Sequence, residues 1–275
     1  MSDATERLVL PASRAERPRL VTTRWLTIAR AVLLPLLTAG LILFAWWMVT
    51  TFSGLPAVIL PPPDAVWRLL STNMSVLAPH LWQTLIESTL GFLIASVSGV
   101  AIAIAITYSS VLREAFYPHL VLFQLIPKVA LAPLFVVWLG IGAPARLAFA
   151  TFIAFFPMVI ATAQGLTEVP SDMIRLSRSL SASRWQVFTT IRLPYAMPYI
   201  FAGMKISVTM AMIGIIIGEF IASQKGLGYL ILFASSQANT TLILAAVALL
   251  CVIGLAQFGI VVVLERIVRR HYGIH

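Results

Sequence analysis

Apolar residues along this chain fall into long unbroken runs separated by short polar stretches. Runs at about 31–52, 81–108, 115–140, 145–166, 196–221 and 240–265 each reach the length that crosses a bilayer, for which roughly 20 apolar residues suffice. Backbone groups in lipid must be bonded internally, which allows helices or a closed barrel. These runs lack the short alternating segments of a barrel. The pattern predicts an all-α membrane protein with about six transmembrane helices and no second domain. The third run is interrupted by Pro127, Lys128 and Pro133 and is expected to kink. The connection at 53–80 holds Leu60-Pro61-Pro62-Pro63-Asp64 and then an amphipathic stretch, Ala65–Asn73. Asp64 suits the cap of that short helix. The connection at 222–239 reads as polar and glycine-bearing.

Composition agrees with this pattern. Of 275 residues 60% are hydrophobic and 11% charged, and mean hydropathy is +0.95, too apolar for a water-soluble domain. The net charge of +9 lies in tails and loops beside the runs, as topology requires, which argues against nucleic acid as a partner. Residues 1–30 form a polar tail with Arg7, Arg14, Arg17, Arg19, Arg24 and Arg30. This is too long for the basic segment of a signal peptide, and the run after it is long enough to be retained as a span. With six spans, one side holds that tail, Arg113, the loop arginines Arg175, Arg178, Arg184 and Arg192, and Arg266, Arg269 and Arg270. The other side holds only Arg68, Arg146 and Lys225. Both termini are therefore expected in the cytoplasm.

The most polar internal stretch is 167–195. Pro170 with Ser171 and Asp172 suits a helix start. Met173, Leu176 and Leu180 then recur at helical spacing, Ser181-Ala182-Ser183 is a break, and Arg184–Ile191 reads as a second short helix with Trp185 and Phe188 on one face. An apolar stripe on such a pair either meets a protein partner or lies in the lipid headgroup region, and periodicity leaves both open.

Ionisable residues within spans are costly. Glu87, Lys128 and Glu219 are the candidates for a translocation path, with Lys128 facing a carboxylate or an anionic substrate, or else for a structural ion pair. Gln164 and Lys205 are expected near the cytoplasmic interface. Met204, Met210 and Met212 read as packing residues. Ala95, Ser96, Ser98 and Gly99, with Gly91, form a small-residue cluster for close helix approach. The lone Cys251 reads as a small apolar residue. His80, His119, His271 and His275 show no metal-ligand spacing, and no metal is expected. No GxxxxGK[ST] phosphate loop occurs, so ATP hydrolysis of that type is excluded.

The loop then suggests a family. RLSRSLSASRWQVFTTIRLPYAMPYIFAGMKIS resembles the cytoplasmic loop of binding-protein-dependent importer permeases, whose common form is Glu-Ala-Ala, three residues, Gly, nine residues, Ile-x-Leu-Pro. Ile191, Arg192, Leu193 and Pro194 keep the last element. Arg175, Leu176 and Ser177 stand in place of Glu-Ala-Ala, and Ser181 in place of Gly. Leu125–Leu134 resembles the third-helix signature of the nitrate, sulfonate and taurine branch. Gly218-Glu219-Phe220 with Gly226–Leu230 is similar to members serving pyrimidine vitamin precursors or riboflavin. The resemblance covers most of 55–265.

It implies the type I importer permease fold and a bacterial inner-membrane location. It also implies cytoplasmic ABC ATPase subunits carrying ATP and Mg, an external solute-binding protein, and a second permease copy, with no cofactor on this chain. The ATPase would be met by Arg175, Leu176, Ser177, Leu180, Ser181, Ala182 and Trp185, with Leu193 and Pro194 opening the next span. A stand-alone secondary transporter and an intramembrane enzyme are the competing readings. The first needs ion-coupling residues in the spans and no partner loop; the second needs a nucleophile with a base at membrane depth.

Overall fold

The computed structural model describes residues 22–272. Most of the expected N-terminal tail, including Arg7, Arg14, Arg17 and Arg19, lies outside them, as does His275. The chain divides into two units, Met1–Gly54 and Leu55–His275. In the first, α1 (Thr22–Phe52) carries the apolar span Leu33–Phe52.

The second unit is helical throughout. It comprises α2 (Pro63–Thr72), α3 (Met74–Tyr108), α4 (Ser110–Leu125), α5 (Ala132–Leu139), α6 (Ala143–Thr167), α7 (Ser171–Ser179), α8 (Arg184–Val187), α9 (Leu193–Ala222), α10 (Leu227–Ser236) and α11 (Thr240–Tyr272). Among the described residues five helices are long and apolar enough to cross a membrane, or six if the bent pair α4–α5 is one span.

Its centre is a three-helix contact of α3, α6 and α9. Lipid tails are as apolar as leucine, so helices associate here by close packing rather than by escape from water. Small residues supply the closeness. A Cβ on Gly214 would stand 2.6 Å from the Ala150 Cα, one on Gly99 2.9 Å from the Met158 side chain, and one on Gly91 3.1 Å from the Ala150 Cβ. The Ser207 hydroxyl donates to the Ala154 carbonyl at 2.8 Å across the same interface. The buried face of α3 runs through Gly91, Ala95, Ser96 and Gly99, whereas Ser98 is turned aside and donates to the Ile94 carbonyl at 2.6 Å.

The interruption in the third run is a break, not a kink. The residue before a proline is pushed out of helical conformation, and Ile126 is accordingly extended (φ −70°, ψ 133°). A 3-10 turn at Lys128–Leu131 follows, and α5 leaves at 94° to α4. The 222–239 connection also differs from its expected form. It contains the apolar helix α10, too short to span, whose Leu227 and Leu230 pack with Leu77, Leu249, Leu250 and Ile253. α2 lies on α11 beside this cluster.

Candidate functional site

The first half of the loop between α6 and α9 is built as its spacing predicts. Pro170 precedes α7, with Asp172 in the first turn. Ser181 ends the helix in a left-handed conformation (φ 57°), a position that glycine fills most readily. Ser183 and Gln186 then close a reciprocal capping box: the Gln186 N–H donates to the Ser183 hydroxyl at 3.2 Å, and the Ser183 N–H to the Gln186 side-chain oxygen at 2.8 Å. Both backbone donors are satisfied, which sharpens the start of α8.

α8 is not a separate short helix as expected. It runs through a π turn, Phe188–Arg192, directly into α9, giving one rod from Arg184 to Ala222. Pro194 explains the π turn. A proline within a continuous helix has no N–H for the carbonyl four residues back and crowds it, and a local widening accommodates that misfit. The loop is thus rigidly joined to a membrane span.

The apolar stripe faces outward. Met173, Leu176, Leu180 and Trp185 are 48%, 63%, 74% and 70% exposed. Arg175, Ser181 and Ala182 lie on the same accessible segment. Ser177 is buried, its hydroxyl donating to the Ile174 carbonyl at 2.9 Å. Leu193 packs against the Met158, Leu166, Phe188 and Ala196 cluster, and Pro194 is half-buried beside it. Trp185 and Phe188 share a face, centroids 5.7 Å apart.

A second polar constellation sits at the other end of the bundle. Arg146, in the second turn of α6, makes a two-pronged pair with Glu87 of α3: Nε to Oε2 at 2.8 Å and Nη2 to Oε1 at 2.6 Å. Its Nη1 donates to the Ala222 carbonyl at 2.8 Å, placing positive charge on the C-terminus of α9, where the helix dipole favours it. Glu219 of α9 accepts from the Thr84 hydroxyl and the Gly228 N–H, both at 2.7 Å. The Leu227 N–H donates to the Thr84 hydroxyl at 2.9 Å and the Gly226 N–H to His80 Nδ1 at 3.0 Å. Three unpaired donors at the start of α10 are thereby met by side chains. Glu219 and Arg146 are 0% and 5% exposed. Charges so deeply buried persist only when paired and fully bonded.

Gly226 cannot carry a side chain in this arrangement. Its φ is +106°, and a Cβ there would collide with the Glu219 carboxylate. Gly226→Ala is expected to cost about 3 kcal/mol from backbone strain and overpacking. Thermal unfolding of the purified chain checks this; an unchanged midpoint contradicts the arrangement.

Lys128 stands apart from both carboxylates. Its ammonium donates to the Gln124 carbonyl at 3.2 Å, satisfying a free end of α4, and lies 5.6 Å from the Phe156 ring centroid. Glu87 and Glu219 thus belong to one buried constellation, Glu87 meeting Arg146 and Glu219 meeting Thr84 and the α10 backbone, whereas Lys128 sits apart at the broken span.

Residues 91–270 match the family model of the binding-protein-dependent transport system inner membrane component. The chain belongs to that family. It is 34% identical to the riboflavin transport system permease protein RibX of Chloroflexus aurantiacus, over 85% of this chain and 88% of that one. It is 30% identical to the taurine transport system permease protein TauC of Escherichia coli K12, over 90% and 93%. The fold matches a chain of the MetNI methionine ABC transporter solved in inward-facing conformations, with TM-score 0.57, 21% identity, and coverage of 68% of this chain and 95% of that one. This permease is accordingly a multi-pass inner-membrane component of an importer and is not itself the catalytic subunit.

Basic-residue placement assigns Arg146, with Arg68 and Lys225, to the side opposite the termini and names no partner for it. The structure buries it in the body of α6. Its place at the very start of the apolar run 145–166 was the available signal, since an arginine at a span's edge either snorkels or pairs inward. Thr84 and His80 carried no signal beyond their places within the α3 pattern. Lys205, expected near the cytoplasmic interface, pairs with Glu265 of α11 at 2.5 Å.

Proposed function

We propose that this permease transmits the closure of separate cytoplasmic ATPase subunits to the pore through the α7–α8 loop, with ATP and Mg held on those subunits. The observation that carries the reading is the outward apolar stripe of Met173, Leu176, Leu180 and Trp185 on a capped helix pair. A contiguous exposed apolar surface on a rigid support fits a groove on a partner. Leu176, Leu180, Ser181, Ala182 and Trp185, with Arg175, make the contact. Ser177, Leu193 and Pro194 hold the loop to the span. Because α8 and α9 are one rod, force on the loop tilts a membrane helix as a rigid body.

In this reading both termini and the 167–195 loop are cytoplasmic, residues 1–30 are the tail, and 31–275 form the permease domain. A second copy completes the pore, and an external binding protein delivers the solute. The relatives' names, taurine and riboflavin transport, support a small organic solute or anion of the sulfonate, nitrate or taurine kind, or of the pyrimidine-precursor or riboflavin kind. Lys128 is the candidate for contact with an anion on the path. Glu87 and Glu219 support the path from within the packing.

The test is uptake by proteoliposomes containing the permease and its co-purified ATPase. Uptake is expected to require ATP and the binding protein and to survive collapse of the proton gradient. Uptake driven by the proton gradient alone would instead establish the secondary-transporter reading. In cells, a cysteine at Ser181 should react with a membrane-impermeant maleimide only after the cytoplasmic side is opened.

A further inference from the structure

Between α7 and the first turns of the α8–α9 rod lies a cavity of about 490 Å³ that also reaches the end of α3. Arg178, Arg184 and Arg192 line it, together with Tyr108, Ile174 and Val187. Among the described residues, none of the three arginines has a carboxylate within ion-pair distance. Arg192 is held 6.0 Å over the Tyr108 ring. Tyr108 meets Phe188 edge-on with centroids 5.7 Å apart, and Phe188 is buried. One guanidinium is thus positioned by a ring stack before any ligand arrives.

Three like charges around one concavity repel one another, and an anion relieves that repulsion. The guanidinium fork matches a phosphate with two parallel bonds. Tyr108 ends an apolar span and Arg192 precedes the first turn of another, so the cavity sits where hydrocarbon gives way to headgroups. Ile174 and Arg178 lie on a different face of α7 from the stripe of Met173, Leu176 and Leu180. The cavity and the stripe therefore lie on separate faces of α7 and meet only at Ala182, beyond the end of that helix.

We propose that this cavity binds a phosphate group, presented by an anionic phospholipid of the adjacent leaflet. Such a headgroup ties the end of α3 to α7, so that the loop's freedom to move depends on the lipid beside it. The site forms without any ATPase and does not rest on the docking reading.

The test uses the full chain in mild detergent, with native mass spectrometry after addition of phosphatidylglycerol or phosphatidylcholine. Wild type is expected to retain phosphatidylglycerol over phosphatidylcholine. Arg178→Gln and Arg184→Gln are each expected to weaken that retention about tenfold, the loss of one charge-assisted hydrogen-bonding partner. Arg270→Gln, an exposed arginine beyond the cavity, is expected to leave it unchanged. A second arm measures thermal protection of the same proteins by millimolar inorganic phosphate, which reports a soluble phosphate instead. Unliganded melting, with Arg178→Lys and Arg184→Lys alongside, separates lost binding from lost fold. Loss of either readout in the glutamine variants alone upholds the site. If neither readout distinguishes them from Arg270→Gln, or if they lose only co-purification with the ATPase, the proposal is overturned.

Discussion

Replacing Arg146 by methionine lowers the stability of the permease by about 3–5 kcal/mol, the usual cost of breaking a buried ion pair from one side. Glu87 would be left charged or forced to take up a proton inside the bundle, because its two shortest hydrogen bonds come from Arg146 at 2.6 and 2.8 Å. The remaining donor, Gln83 at 3.3 Å, is a weak substitute. The Ala222 carbonyl would also lose its partner. The double variant Glu87→Leu with Arg146→Met recovers most of that loss, since two apolar side chains leave no uncompensated charge. Unfolding of the purified chain in mixed micelles measures both. A single variant as stable as wild type would show that the pair contributes nothing. A double variant no better than the single would place the effect in packing alone.

Leu180→Asp is expected to leave the fold intact and to reduce coupled transport at least tenfold. Leu180 is 74% exposed, and substitutions at such positions usually change stability by within about 0.5 kcal/mol. In the proposed complex the same side chain is buried against the ATPase. Removing it forfeits about 2 kcal/mol of apolar burial, and the carboxylate adds a desolvation penalty. Together these exceed the 1.4 kcal/mol that corresponds to tenfold. Uptake and ATP turnover stimulated by loaded binding protein are read on the same reconstituted complex, with melting as the control for folding. Retention of stimulated turnover by Leu180→Asp would mean that the stripe is not the ATPase contact. Leu176→Met, which keeps the volume and the apolar character, is expected to behave as wild type.

These two expectations concern features that differ in how far residues alone reveal them. The loop was legible almost throughout, because its signals are local: Pro170 at a helix start, apolar residues at 173, 176 and 180, and a serine-rich break. Each acts within one or two turns of the residue that carries it. Only the junction was misread there. Leu193-Pro194 looks like the start of a new helix, yet the π turn carries α8 through it. A proline reports a missing N–H but not whether the chain stops or widens.

In the buried cluster at the opposite end Glu87 and Glu219 were legible as costly ionisable groups, but their arrangement was not. Glu87 and Arg146 are 59 residues apart, Thr84 and Glu219 135 apart. Nothing in one segment states which other segment will face it. Lys128, which interrupts the third run, suggests by its place alone a carboxylate or an anionic substrate as its partner. The arginine that pairs with Glu87 stands at the start of its run, where residues alone mark it only as a charge on the side opposite the termini.

Hydropathy runs and helix punctuation determined by themselves that the chain is a multi-span helical membrane protein with one long polar internal stretch. Those properties depend on solvent preference and on short-range backbone geometry, which each residue carries with it. Tertiary structure alone decided that Gly214 and Gly91 both close on Ala150, that Arg146 rather than Lys128 neutralises Glu87, and that Glu219 caps α10. Those outcomes depend on which helix faces come into register, and in lipid the register is chosen by steric fit and by the need to leave no polar group unpaired.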